Sequence, residues 1–340
     1  MTQPYNLSNV WEERRNLANG YYQQGRFLEY LDLVRENLQL AKAIPDRARE
    51  GHTLNDIGLA YLGCCQPKQA LESFHQALAV AREISNIQAE ATALSNLGST
   101  CSRLGRLAQA LEYFDQAVQI FRKLQDTQGE ISTLNDVALI YVRLGEPKRS
   151  LILQHQILAM RRLLGDFSGE ATTLNGIGFA YSCLGDFEQA LEYLQQALPI
   201  QKAVKNVIGQ AITLNNIASI YLDLGQPKQA LLLYHQVLLT RQAIKDHPGE
   251  ATTLNNIGYT YSHLKIHRKA LKFYKQALVI YQQLGDSLGE ISTLLNMGSL
   301  YGTTKRKRLA RSCYQNAQDL AERIEDKATF EKVKQFMDGL

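Results

Sequence analysis

The sequence predicts an all-α fold, a solenoid of stacked helix-turn-helix units. Three observations carry the prediction. First, Leu54, Leu94, Leu134, Leu174, Leu214, Leu254 and Leu294 recur every 40 residues. A Gly or Ala position (Gly58 to Gly298), a largely Tyr position (Tyr61 to Tyr301, with Cys101 in one copy) and an Ala or Ser position (Ala70 to Ala310) keep the same step. Second, the apolar residues inside each copy have helical spacing. Third, residues that stop and restart helices stand between them. A fixed period in this range marks a repeat array. Each unit of such an array buries surface only against its neighbours, so 340 residues need not divide into globular domains.

Taken in order, residues 1–49 read as a degenerate capping copy, in register through Ala18, Tyr21, Gly25 and Leu31. Residues 50–326 hold seven full copies. In 170–185, Leu174, Ile177, Gly178 and Tyr181 fall at i, i+3, i+4 and i+7, one face of a first helix. In 186–204, Ala190, Leu191, Leu194, Ala197 and Leu198 do the same for a second helix. Gly185 is expected to close the first helix and Asp186 to cap the second. Gly285 and Asp286 mark the stop and restart between copies. Pro67, Pro147 and Pro227 sit where a second helix begins, a place a helix tolerates proline. The tail, residues 327–340, reads as a capping helix with Phe330, Val333 and Met337 at helical spacing. A solenoid needs such closure at its ends.

Glycine inside a helix costs roughly 1 kcal/mol relative to alanine. Its recurrence at 58, 98, 178, 258 and 298 therefore implies a close approach of the second helix at that point. A longer period is superimposed. Pro67, Pro147 and Pro227 are 80 residues apart, and so are His75, His155 and His235. A two-repeat unit was duplicated as a block, giving units of about 50–129, 130–209 and 210–289.

The pattern Leu174, Ile177-Gly178, Tyr181, Ala190 and Ala197 resembles the tetratricopeptide repeat family, strongly over 50–326. Two departures stand out: the usual tryptophan slot is Leu throughout, and the period is 40 where 34 is common. The extra residues lie between Ala197 and Leu214, in a longer second helix or a longer exit loop. Forty-residue copies with an LGDxxGE junction resemble those of Pins-type spindle-orientation adaptors. The TLNNIG stretch is similar to kinesin light chains and bacterial tetratricopeptide regulators. The resemblance implies a right-handed superhelix whose first helices line a concave groove, and a function in binding partners.

Composition excludes several classes. With 37 basic and 33 acidic residues, the net charge of +4 is too mild to argue for nucleic acid or an anionic membrane. No stretch approaches the roughly 20 apolar residues needed to cross a bilayer, and the N-terminus lacks a signal-peptide pattern. A cytoplasmic protein is expected. The five cysteines show no CxxC or disulfide spacing and read as reduced, mostly packed thiols.

The binding candidates are the first-helix residues pointing away from the core. Directly after the Leu anchor comes a row of asparagines, Asn55, Asn135, Asn175, Asn215 and Asn255, with Ser95 and Leu295 as exceptions. The next position holds Asn96, Asn216, Asn256 and Asn296, with Asp56, Asp136 and Gly176 in other copies. Asparagine is a poor mid-helix residue, so the row needs compensation. An amide has donors and an acceptor. Either the row holds the backbone of an extended peptide, or each Asn bonds the neighbouring repeat and fixes the stack. Five residues past the anchor come Leu59, Leu139, Phe179 and Tyr259, expected as apolar pockets for ligand side chains. Gly176 is expected to open space beside Phe179. Arg103 and Arg143, against Asp56, Asp136 and Asp223, give the groove mixed charge, with the two arginines able to attract an acidic segment.

No nucleophile-base-acid constellation emerges, so no enzyme and no cofactor are expected. His263 and His267 are spaced i, i+4, but His267 is expected in a turn and a third ligand is missing, so no metal is expected either. The basic run Lys305, Arg306, Lys307 and Arg308 reads as a solvated turn. The resulting expectation is a monomeric scaffold or adaptor for a protein or peptide. The rival is a peptide-responsive sensor acting on a separate effector chain.

Overall fold

The structure, a computed structural model, describes residues 7–44, 46–324 and 326–339, the side chains of 327 and 328 excepted. Residues 1–6, 45 and 340 of the two expected caps thus lie outside it. The described residues form helices and turns and no strand. They divide into two compact units, Met1–Leu144 and Gly145–Leu340. The first holds α1 (Leu7–Gln23), α2 (Phe27–Ala43), α3 (Arg47–Gly63), α4 (Pro67–Glu83), α5 (Ile87–Arg103), α6 (Leu107–Leu124) and α7 (Thr127–Arg143). The second holds α8 (Pro147–Leu164), α9 (Phe167–Cys183), α10 (Phe187–Ala203), α11 (Val207–Asp223), α12 (Pro227–Ala243), α13 (His247–His263), α14 (His267–Leu284), α15 (Ser287–Thr303), α16 (Lys307–Arg323) and α17 (Lys327–Asp338). Within each unit, helices consecutive in sequence pack side by side.

The turns explain the regular step. From 65 to 305, every twentieth residue has positive φ, between 55° and 77°. Glycine holds this conformation without strain at 105, 145, 165, 185, 225 and 285, while Cys65, Ser85, Gln125 and four lysines adopt it at the remaining positions. Helix restart is equally regular. Asp126, Asp166, Asn206, Asp246 and Asp286 each accept a hydrogen bond from the backbone N–H three residues on, at 2.8–3.0 Å. Asp186 caps α10 in the same way, from Gln189 N at 3.2 Å. Pro67, Pro147 and Pro227 open α4, α8 and α12.

The exit turn stays short. After Ala197, α10 runs on to Ala203 and α11 begins at Val207. The longer period therefore lies in helix and not in a loop.

Each glycine four residues past a Leu anchor receives a large side chain from the following second helix. An added Cβ at Gly98, Gly178, Gly258 or Gly298 would come within 2.5–2.7 Å of Phe114, Leu194, Tyr274 or Tyr314. Those four side chains are themselves buried. A second interlock sits at the start of first helices: Gly129 faces the Phe121 ring, while Gly169 and Gly249 lie first against their own caps Asp166 and Asp246 and next against the guanidinium groups of Arg161 and Arg241. These two arginines are buried, and each donates to the carbonyl of its glycine. Desolvation lowers the pKa of both, with Asp166 and Asp246 opposing.

At the N-terminal end Trp11 is buried and its Nε1 donates to Thr53 Oγ1 at 3.0 Å, tying α1 to α3. At the other end Val333 is fully buried, with Phe330 and Met337 packed beside it on the cluster around Met297 and Tyr314. The histidines of the 80-residue period have a packing role. His75, His155 and His235 meet the edges of Tyr113, Tyr193 and Phe273 on the next second helix, ring centres 5.8–6.1 Å apart. His267 is not in a turn but is the first residue of α14. Of the cysteines, Cys101 and Cys313 are buried, Cys64 is half-buried, and Cys65 and Cys183 are exposed.

The interlock sets opposite expectations for two glycines. Gly178→Ala is expected to lower stability by about 1 kcal/mol or more, since overpacking at Leu194 and the Ala190 carbonyl outweighs the helix-propensity gain. Gly20→Ala, with open space around it, is expected to gain up to about 1 kcal/mol. Chemical denaturation of the two variants measures both, and a stabilised Gly178→Ala would contradict the interlock.

Candidate functional site

The Leu anchors are buried, except Leu214, which is half-buried; the next two positions are half-buried, except Asp56, which is buried. In the first unit, Asn96 Nδ2 donates to Asn55 Oδ1 at 2.7 Å. In the second, Asn216 donates to Asn175 at 3.1 Å, Asn256 to Asn215 at 3.2 Å and Asn296 to Asn255 at 3.3 Å. Thr213 Oγ1 adds a bond to Asn175 Oδ1 at 3.2 Å. The pattern is a 41-residue step, from the position after one anchor to the second position after the next. It ties adjacent first helices together and supplies the compensation that mid-helix asparagine requires. The other half of each paired amide, such as the Asn175 NH2 and the Asn216 carbonyl, bonds no described residue. Asn135 occupies the equivalent half-buried place in α7.

Five residues past the anchor the side chains divide. Leu139 is 56% exposed, Phe179 42% and Tyr259 44%. Leu59 instead packs against the clusters around Ile57 and Phe74, so it offers no pocket. On α11, between α9 and α13, this position is Ser219, so Phe179 and Tyr259 stand on either side of a small residue. The edge of Tyr259 meets His263 at 4.6 Å between ring centres. Gly176 does not open space beside Phe179. The amide of Gln154 fills it, and an added Cβ would lie 3.2 Å from that group.

The charges are placed differently from the sequence expectation. Asp56 is buried, not exposed in a groove, and accepts from Arg15 Nε at 3.0 Å. Burial raises its pKa, with Arg15 opposing. Asp136 is half-buried and accepts from Ser99 Oγ at 2.8 Å; burial raises its pKa too, opposed by Ser99 and Arg103. Arg143 donates to the carbonyl and hydroxyl of Ser102 at 2.9 and 3.0 Å, bridging α7 to the end of α5. Arg103 is exposed. Asp223 has a raised pKa, from burial, with His263 opposing. Among the described residues no three His, Cys, Asp or Glu side chains converge as metal ligands. No described helix is long and apolar enough to cross a membrane.

The repeat model of one family, the tetratricopeptide repeat, matches at residues 8–83, 63–123, 89–162, 129–203, 209–283 and 263–323. The chain belongs to the tetratricopeptide repeat family. No curated protein matches it significantly. Solved structures with the same fold include NprR in complex with its cognate peptide NprX, 16% identical, covering 99% of this chain and 97% of that one at a TM-score of 0.65. A Rap protein complexed with competence and sporulation factor is 13% identical, with 97% of each chain covered and a TM-score of 0.64. The TPR-like repeats of a kinesin light chain sequence from Podosopora anserina are 18% identical, covering 60% of this chain and 100% of that one at a TM-score of 0.51.

The paired amides generate a test that separates stacking from helix propensity. A double-mutant cycle of Asn175→Ala and Asn216→Ala is expected to give a coupling energy of about 0.5–1.5 kcal/mol. The unbonded pair Asn175 and Asn256 is expected to give a value near zero. Equal coupling in both cycles would contradict the pairing.

Proposed function

We propose that this tetratricopeptide repeat chain is an interaction scaffold that holds an extended peptide or partner segment along the exposed face of its first helices. The carrying observation is the pair Phe179 and Tyr259. They are large apolar side chains at equivalent places on α9 and α13, half out of the core and separated by Ser219. Two aromatic posts around a small residue suit a segment with apolar side chains at the posts and its backbone across the gap. The asparagine pairs below them hold the helices in register. Their unused amide halves are the polar groups that meet the segment's backbone. The first unit, taken by itself, exposes Leu139 and Arg103 on its own first helices.

A second reading is a peptide-responsive sensor acting on a separate effector chain. It is favoured by the near full-length fold likeness to the Rap and NprR peptide complexes. The two readings share the site and differ in whether occupancy changes the stack.

Selection of displayed random peptides on the wild-type chain, followed by affinity measurement with Phe179→Ala/Tyr259→Ala, tests the reading. Losing two aromatic contacts of roughly 1.5–3 kcal/mol each, only partly realised at half-exposed sites, is expected to weaken the selected peptides at least about tenfold. Thermal stability should change little. Equal affinity in a folded double variant would contradict the site. A change in the solution radius of gyration on peptide addition would select the sensor over the passive scaffold.

A further inference from the structure

The chain's modest net charge conceals a strongly basic surface. Residues 264–285 and 304–318 contain ten of its 37 Lys and Arg and none of its 33 Asp and Glu. These segments are α14 and the N-terminal two thirds of α16, with the turns that precede them; Asp319 and Glu322 follow in the last turns of α16. The rest of the chain is correspondingly net acidic. On α14, Lys272 and Lys275 stand one turn apart on the exposed face, and neither is ion-paired with a described residue.

Solvated lysines on an outer helix are ordinary, but this face also carries exposed aliphatic side chains. On α12, Leu232 and Leu239 are 73% and 68% exposed, and on α14 Val279 is 52% exposed. The places of Leu232 and Leu239 are taken by Glu192 and Pro199 on α10, and by Glu112 and Gln119 on α6. An open groove of about 550 Å³ runs between α12 and α14, walled by Leu238, Phe273, Val279 and Ile280 with Lys272 and Lys275. Its single carboxylate, Glu250, accepts a hydrogen bond from Gln242 at 2.7 Å.

We propose that the α12–α14 surface docks an acidic amphipathic helix of a partner protein, its apolar stripe on Leu232, Leu239 and Val279 and its carboxylates on Lys272 and Lys275. A trough between two neighbouring helices, each about 25 Å long, matches a helical ligand. Charge complementarity adds steering and orientation. The aromatic rings argue against a nucleic acid. Tyr274 and Tyr281 are buried, and Phe273 stacks on Tyr261 at 5.5 Å, so no ring is presented for a base. This surface belongs to second helices, so its failure leaves the first-helix site untouched.

Fluorescence anisotropy of the full chain with a labelled model peptide tests the proposal. The probe is a helix with leucines at i, i+3, i+4 and i+7 and glutamates elsewhere. Saturable binding that weakens with salt is expected. Lys272→Glu/Lys275→Glu should weaken it at least about tenfold, and so should Leu232→Asn/Leu239→Asn. Because all four residues are exposed, helicity and melting should be retained. The Phe179→Ala/Tyr259→Ala variant should bind the probe as wild type does. Three results would overturn the proposal: no saturable binding, unchanged binding by either second-helix variant, or tighter binding of random-sequence DNA or phosphatidylserine vesicles than of the peptide.

Discussion

At the midpoint of most hairpins, a bulky side chain of the second helix lies against a first-helix residue that has no side chain. Gly98 under Phe114, Gly178 under Leu194 and Gly258 under Tyr274 show the same arrangement. The helix gives up roughly 1 kcal/mol of propensity at each glycine. In exchange a large side chain is buried close against its backbone, although Ala218, at the equivalent place in α11, also packs with a buried Tyr234. That contact sets how near the two helices lie. The second interlock, at Gly129, Gly169 and Gly249, does the same where one copy meets the next. With both distances fixed and a left-handed residue every twenty positions, each copy spans 40 residues.

The same packing decides which side chains remain for a partner. The Leu anchors are committed to the core, and the amides beside them are committed in part to each other. Among the side chains the first helices leave exposed are three large ones in the row five residues past the anchor. They are Leu139, Phe179 and Tyr259, while Leu59 in the same row is half-buried against the clusters around Ile57 and Phe74. Second helices have their own free row, and its chemistry changes from copy to copy: acidic on α10, aliphatic on α12, basic on α14. A scaffold made by duplicating one unit thus acquires different surfaces without altering its interior.

Much of this was legible in the residues. The step of 40, the stop at Gly185, the cap at Asp186, the prolines opening second helices and the close approach at glycine all rest on backbone rules that act within one hairpin. So does the exposure of Phe179 and Tyr259, which follows from helical phase. The pairing of Asn175 with Asn216 was not legible, because phase alone does not say which neighbour an amide faces. Its 41-residue step is present in the sequence, but it has meaning only once two first helices lie side by side. The sequence likewise gave no sign that Arg15 reaches Asp56 or that Gln154 fills the space at Gly176, since each joins residues from different helices. The turn positions held by Lys205, Lys245, Lys265 and Lys305 were hidden because lysine does not advertise positive φ.

We propose that the exposed row of first helices, and not the exposed face of α10, meets the scaffold's principal partner. Site-specific photocrosslinking tests it most directly. A benzophenone amino acid would be placed at Phe179, at Tyr259 and, as a control, at the exposed Gln196 on α10. One discrete adduct is expected at positions 179 and 259 alike, absent at 196 and competed away by a peptide selected on the wild-type chain. Adducts at 196 with none at 179 and 259 would contradict it.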